Sequence, residues 1–110
     1  MRIVGVVSGG LEAVLKAEEM QPDLILLAVG LPKLNGIEAA QRICKVAPKS
    51  KILFLTQETD VDAVHVALTY GHGYVLKSDA DDALFAAIKV VMQGEKFVSL
   101  RLAADFFARA

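Results

Sequence analysis

The stretch Asp23-Leu24-Ile25-Leu26-Leu27-Ala28-Val29 decides the fold. It is an unbroken apolar run of strand length, entered from Pro22 and left at Gly30. A strand with one face in water alternates polar and apolar side chains, whereas one buried on both faces reads as continuous hydrocarbon. The run is therefore expected as a central strand of a parallel sheet with helices on both faces.

The same alternation recurs outward from it. Arg2 to Val7 is short and β-branched, and Ser8-Gly9-Gly10 breaks it. Leu11, Val14 and Leu15, with Glu12, Lys16 and Glu19 opposite, predict an amphipathic helix that Pro22 ends. Gly30 to Gly36 reads as a loop, with Asn35 capping a helix on which Ile37, Ala40 and Cys44 recur on one side and which Pro48 closes. Lys51 to Thr56 is the third strand. Thr59-Asp60-Val61-Asp62 has the form of a capping box and opens a helix with Val61, Val64 and Leu68 inward, broken by Gly71-His72-Gly73. A short strand Tyr74-Val75-Leu76 follows. Ser78-Asp79-Ala80-Asp81 repeats the cap, ahead of a helix with Leu84, Ala87, Ile88 and Val91 buried and Gly94 at its end.

Ser99 can cap one more helix. In it Arg101, Asp105 and Arg109 fall four apart on a narrow polar strip, while Leu100, Leu102, Ala103, Ala104, Phe106 and Phe107 cover the rest. Such a helix should be buried on most sides. The expected organisation is one domain over residues 1–98 and a C-terminal helix over 99–110, packed on the domain or on a partner.

Composition narrows the function. A chain of 110 residues fits one domain. Its formal charge of -1 supplies no field to draw in nucleic acid or an anionic membrane surface. The hydrophobic share is 55% and the mean hydropathy +0.47, which demands either a large core or a partner that buries the excess. Charges interrupt every apolar run well short of the ~18 residues of a membrane span. The amino terminus lacks an Ala-x-Ala-like cleavage site and Cys44 is the only cysteine, both as expected of a cytoplasmic chain.

Functional groups of doubly wound sheets sit at the carboxyl ends of the strands. Those ends are Ala28-Val29, Thr56 and Lys77. The run Asp23 to Gly36, then Ile52-Leu53-Phe54-Leu55-Thr56, then Gly73-Tyr74-Val75-Leu76-Lys77, resembles the receiver domain of bacterial two-component response regulators. Gly94-Glu95-Lys96-Phe97-Val98-Ser99 is similar to the end of receivers that precede a helix-turn-helix output domain. The resemblance implies a flavodoxin-like, three-layer fold and a mechanism. An aspartate at the end of the central strand accepts a phosphoryl group from a histidine kinase with the help of Mg²⁺, which two acidic residues on an earlier strand hold. By position Thr56 is the phosphate-binding hydroxyl, Lys77 the phosphate-binding cation and Tyr74 the switch aromatic.

The sequence departs from that pattern at the acceptor, which is Ala28. A methyl group can neither attack phosphorus nor coordinate a metal. Asp23 cannot replace it, since it lies at the other end of the same strand, about 16 Å away. The resemblance also begins at the family's second strand, so the first strand with its acidic pair, and the helix after it, have no counterpart. A third departure is one residue fewer in Gly71-His72-Gly73. The expectation is a site without Mg²⁺ or any other cofactor, in which Thr56 and Lys77 are vestigial.

Other features carry less. His65 and His72 have no further ligand at zinc spacing. Cys44 is expected in the core. Ser8-Gly9-Gly10 matches no phosphate-binding loop, and Arg42, Lys45, Lys49 and Lys51 read as a solvated basic face. In the parent topology the lost strand lies between Arg2–Val7 and the central strand. Either Arg2–Val7 moves in beside the central strand, or another chain supplies the pairing.

The expected function is a degenerate, non-enzymatic receiver acting through protein contacts. It would form a homodimer through Leu100, Phe106 and Phe107, with other signalling proteins as further partners and neither nucleic acid nor membrane among them. A small flavodoxin-like ligand-binding protein or enzyme, and a gene fragment or altered chain without function, are the alternatives.

Overall fold

The computed structural model describes residues 3–7, 10–27, 33–56, 69–76 and 80–98. In chain order they form β1 (Ile3–Val7), α1 (Gly10–Met20), β2 (Leu24–Leu27), α2 (Lys33–Val46), β3 (Lys51–Thr56), β4 (Gly73–Leu76), α3 (Ala80–Met92) and β5 (Phe97–Val98). The sheet is parallel throughout, in the order β1-β2-β3-β4-β5.

Every residue of β2 is buried, as an unbroken apolar run in a doubly covered sheet requires. Its side chains alternate between two cores. Ile25 and Leu27 join Ile52, Phe54, Tyr74 and Leu76 under α1 and α2. Leu24 and Leu26 point the other way, with Leu53 and Val75, to the face covered by α3 through Ala87 and Val91. Each large side chain fully buried in this way stabilises the fold by roughly 1.5–3 kcal/mol.

The gap expected beside the central strand is closed by β1 itself. Ile3 pairs with Leu24 and Val4 with Ile25, and an irregularity before Val7↔Leu27 takes up a mismatch in register. Each strand thus neighbours the next in sequence. Successive strands step in one direction while α1 and α2 lie on one face and α3 on the other, so β4–α3–β5 crosses with the hand opposite to the first two units. The right-handed rule for βαβ units cannot hold for both, and the last of the units ends in a strand of only two residues.

Three expectations need correction. On α1 the buried residues are Gly10, Ala13 and Ala17, while Leu11 and Leu15 are 65% and 55% exposed. The helix packs closely on both the sheet and α2, and its small residues permit that approach. Second, α2 begins at Lys33, so Asn35 lies inside the helix rather than at its cap. Third, Cys44 is exposed, because α2 turns Ala39, Ala40 and Ile43 inward. The Cys44 thiol donates to the Tyr70 carbonyl at 3.2 Å, and partial burial raises its pKa.

The ends of the helices are specified locally. Gly94 has φ +88, Gly94 N–H bonds Val91 O at 3.0 Å and Glu95 N–H bonds Val90 O at 3.2 Å, the paired bonds of a Schellman end. Gln21 takes the left-handed position after α1 at φ 45, and its N–H bonds Ala17 O at 2.9 Å before Pro22 stops the helix. Its side-chain amide donates to Ala17 O, Glu18 O and, across to the end of α2, Val46 O at 2.9 Å.

The helix expected from Thr59 lies mostly outside the described residues, of which Thr69 and Tyr70 are helical. The expected helix over 99–110 lies wholly outside them.

Candidate functional site

Parallel pairing brings the carboxyl ends of β2, β3 and β4 to one edge of the sheet. Leu27 is paired with Phe54, Phe54 with Tyr74, and Thr56 with Leu76. Ala28 follows Leu27 in the chain and Lys77 follows Leu76, so three candidate positions belong to consecutive strand ends. Of the candidates, the backbone of Thr56 and the whole of Tyr74 are described, whereas Ala28, Lys77, Leu100, Phe106 and Phe107 lie outside the described residues.

Tyr74 is buried at 3% exposure, its ring centroid 6.1 Å from that of Phe54 at an interplanar angle of 39°. Both rings belong to the core under α1 and α2. A tilted aromatic pair of this kind favours packing by roughly 0.5–1.5 kcal/mol beyond area burial.

Mg²⁺ is the ion that the receiver resemblance implies for this edge. That ion takes oxygen ligands, typically one or two carboxylates, but the acceptor position carries the methyl group of Ala28. Among the described residues no group of three His, Cys, Asp or Glu could hold a metal ion. Nor is there, among them, a helix long and apolar enough to cross a membrane. A cavity of about 190 Å³ between α1 and α2, lined by Gly10, Leu11, Val14, Glu38, Ala39 and Arg42, is smaller than the roughly 300–1,000 Å³ of small-molecule sites. Of the basic cluster, Arg42, Lys45 and Lys49 are exposed and Lys51 is half-buried, and Arg42 pairs with Glu38 at 3.3 Å with both side chains 58% exposed.

The opposite, amino-terminal edge holds the polar contacts that the sequence did not reveal. The N–H of His72 donates to Ile52 O at 2.8 Å, and the N–H of Ile52 donates to His72 Nδ1 at 3.1 Å. His72 O accepts from Phe97 N–H at 3.1 Å, so one residue links β3 to β5. Nδ1 can accept only when unprotonated. Burial lowers the His72 pKa, and the nearby positive charges of Lys51 and Lys96 lower it further. The Ser50 hydroxyl donates to Pro22 O at 2.5 Å, while Lys51 N–H bonds Asp23 O at 2.9 Å. Beside His72, Gly73 is the close approach: a Cβ there would meet the Leu53 side chain and lie 2.9 Å from Val91 Cγ2. The Gly71-His72-Gly73 segment is thus held by packing and by hydrogen bonds.

Comparison with known proteins agrees with this architecture. Residues 1–89 match the family model of the response regulator receiver domain. The oxygen regulatory protein NreC of Staphylococcus epidermidis is 35% identical over 104 residues, covering 93% of this chain and 48% of NreC. NreC of Staphylococcus aureus gives the same identity and coverage. The chain therefore spans about half the length of the curated relatives it matches. Among solved structures, a two-component response regulator of the LuxR family from Aurantimonas sp. SI85-9A1 superposes with a TM-score of 0.84 at 26% identity, over 94% of this chain and 74% of that one. The isolated REC domain of RcsB from Salmonella enterica serovar Typhimurium gives 0.77 at 15% identity over 94% and 97%, a likeness of fold. The parallel sheet with helices on both faces and the family match agree, and the chain belongs to the response regulator receiver domains of two-component systems.

Proposed function

We propose that this chain is a degenerate receiver module of a two-component phosphorelay, neither phosphorylated at the usual position nor loaded with Mg²⁺. In this reading it is not an enzyme and works in the cytoplasm through protein contacts. The observation that carries the reading is the alanine directly after β2, where the chemistry of the family needs a carboxylate. Thr56 and Lys77 remain as vestiges of phosphate binding, and Tyr74 is a core aromatic rather than a switch. The test is incubation with acetyl phosphate and Mg²⁺ followed by intact mass measurement. No phosphoryl adduct is expected, and a stable one overturns the proposal.

The contacts we propose are with a second copy and with other signalling proteins, not with nucleic acid or membrane. Leu100, Phe106 and Phe107 supply apolar surface for them, in a segment whose sequence leaves only a narrow polar strip. Deleting residues 99–110 is expected to cause aggregation or loss of folding. A truncated chain that stays soluble and equally stable removes the segment from this role. Light scattering tests the pairing itself, and a well-folded monomer at micromolar concentration contradicts it.

A further inference from the structure

β1 pairs with β2 on one side, and among the described residues its other side is the outer edge of the sheet. An edge strand is a template for another strand, and proteins usually blunt it with proline, charge or a covering element. Within Ile3–Val7 there is neither proline nor a charged residue, and four of the five residues are β-branched. Ile3 is 41% exposed. Among the described residues the exposed large apolar side chains are Ile3, Leu11, Leu15, Met20 and Phe85, and all but Phe85 belong to the β1–α1 unit.

The orientation of α1 indicates which strand fits this edge. Gly10, Ala13 and Ala17 face the core, and Val14 turns towards α2 with Ala39 and Arg42. Sheet order places α2 on the inner side of α1, so the remaining stripe Glu12, Lys16 and Met20, spaced four apart, overhangs the β1 edge. All three are exposed. A partner strand running antiparallel across a two-fold axis carries its own helix antiparallel to α1. Glu12 of each copy then falls opposite Lys16 of the other, whereas a parallel pairing of the same edges needs a two-fold axis along the strands, which sets the two α1 helices on opposite faces of the joined sheet. The stripe is complementary to its own reverse.

We infer that the outer edge of β1 pairs antiparallel with β1 of a second copy, joining two five-stranded sheets into one, with the Glu12–Lys16 stripes of the two α1 helices in register above the seam. This rests on the self-association proposed above and assigns it a surface within the described fold, separate from residues 99–110.

The test is a charge swap on the full chain, read as the dissociation constant from sedimentation velocity over a concentration series. Glu12→Lys and Lys16→Glu are each expected to weaken association several-fold, and the double variant to restore it. Ile3→Lys, which charges the edge itself, should weaken it further. Positions 3, 12 and 16 are exposed, and circular dichroism checks that the fold of each variant is intact. Association that persists unchanged in all these variants overturns the edge pairing while leaving self-association in place through another surface. A wild-type chain that stays monomeric throughout overturns both.

Discussion

The two faces of the sheet are built in opposite ways. Under α1 and α2 the helices contribute Gly10, Ala13, Ala17, Ala39 and Ala40, with Ile43 as their large buried residue and Ala47 just past the end of α2, and the sheet supplies the bulk through Ile25, Leu27, Ile52, Phe54, Tyr74 and Leu76. On the other face α3 contributes Ala87 and Val91, flanked by half-buried Leu84, Ile88 and Met92, against Leu24, Leu26, Leu53 and Val75. Two helices that share a face and touch each other must approach closely, so small side chains lie between them and leucines can be displaced to the solvent side. A helix that packs on the sheet with bulkier flanks has room for the ordinary amphipathic stripe.

The contrast can be broken at its heaviest point. Leu53 is fully buried on the α3 face and touches the space above Gly73, so Leu53→Ala should cost about 2–5 kcal/mol, read from urea denaturation. Leu15→Ala is the matched control on α1 and should stay within about 0.5 kcal/mol, since that leucine is exposed. Equal losses from the two leucines would contradict the assignment of faces.

Enlarging rather than truncating probes the first face. Ala17→Leu should destabilise by roughly 1–3 kcal/mol, because α1 would be pushed from α2 and the sheet. A tolerated leucine would show that the small residues do not set the spacing. Gln21 ties the ends of both helices on this side, and Gln21→Ala should cost about 1 kcal/mol or somewhat more. Gln21→Gly should lose less, because glycine is at ease at φ 45.

The smallest expected effect is that of pH at His72. Its folded pKa lies below the ordinary 6.5, from burial first and then from Lys51 and Lys96. The unfolded chain therefore binds more protons between the two values, so the stabilisation is complete above about pH 6.5 and declines as pH falls through the lowered folded value. Denaturation midpoints at pH 7.5 and 5.5 should differ in this direction, and His72→Gln should reduce the difference. An unchanged difference would place the titration elsewhere.

The parts of this fold legible in the sequence were those governed by local pattern. The continuous run around Leu24–Leu27, the bounds of β3 and the glycine end of α3 follow from apolar length and backbone freedom, which need no knowledge of neighbours. The burial of Ala13 and Ala17 in place of Leu11 and Leu15 was not legible, because it depends on how near α2 lies. The exposure of Cys44 has the same origin, being set by which side of α2 meets the sheet. The strand ends beside Ala28, Thr56 and Lys77 were legible from run lengths, since β2, β3 and β4 end at Leu27, Thr56 and Leu76, and Ala28 stood out against a resemblance. His72 was not, since its partners on Ile52 and Phe97 are distant in sequence.

Strictly sequential strand order also bears on how the chain reaches this state. Each β-pairing joins consecutive strands, and none has to be inserted between two already formed. Closing a loop costs entropy that grows with its length, and folding rates fall as contacts become more distant along the chain. The sheet can therefore grow strand by strand from any nucleus, and the outer edge of β1 is ready for a partner once α1 has docked.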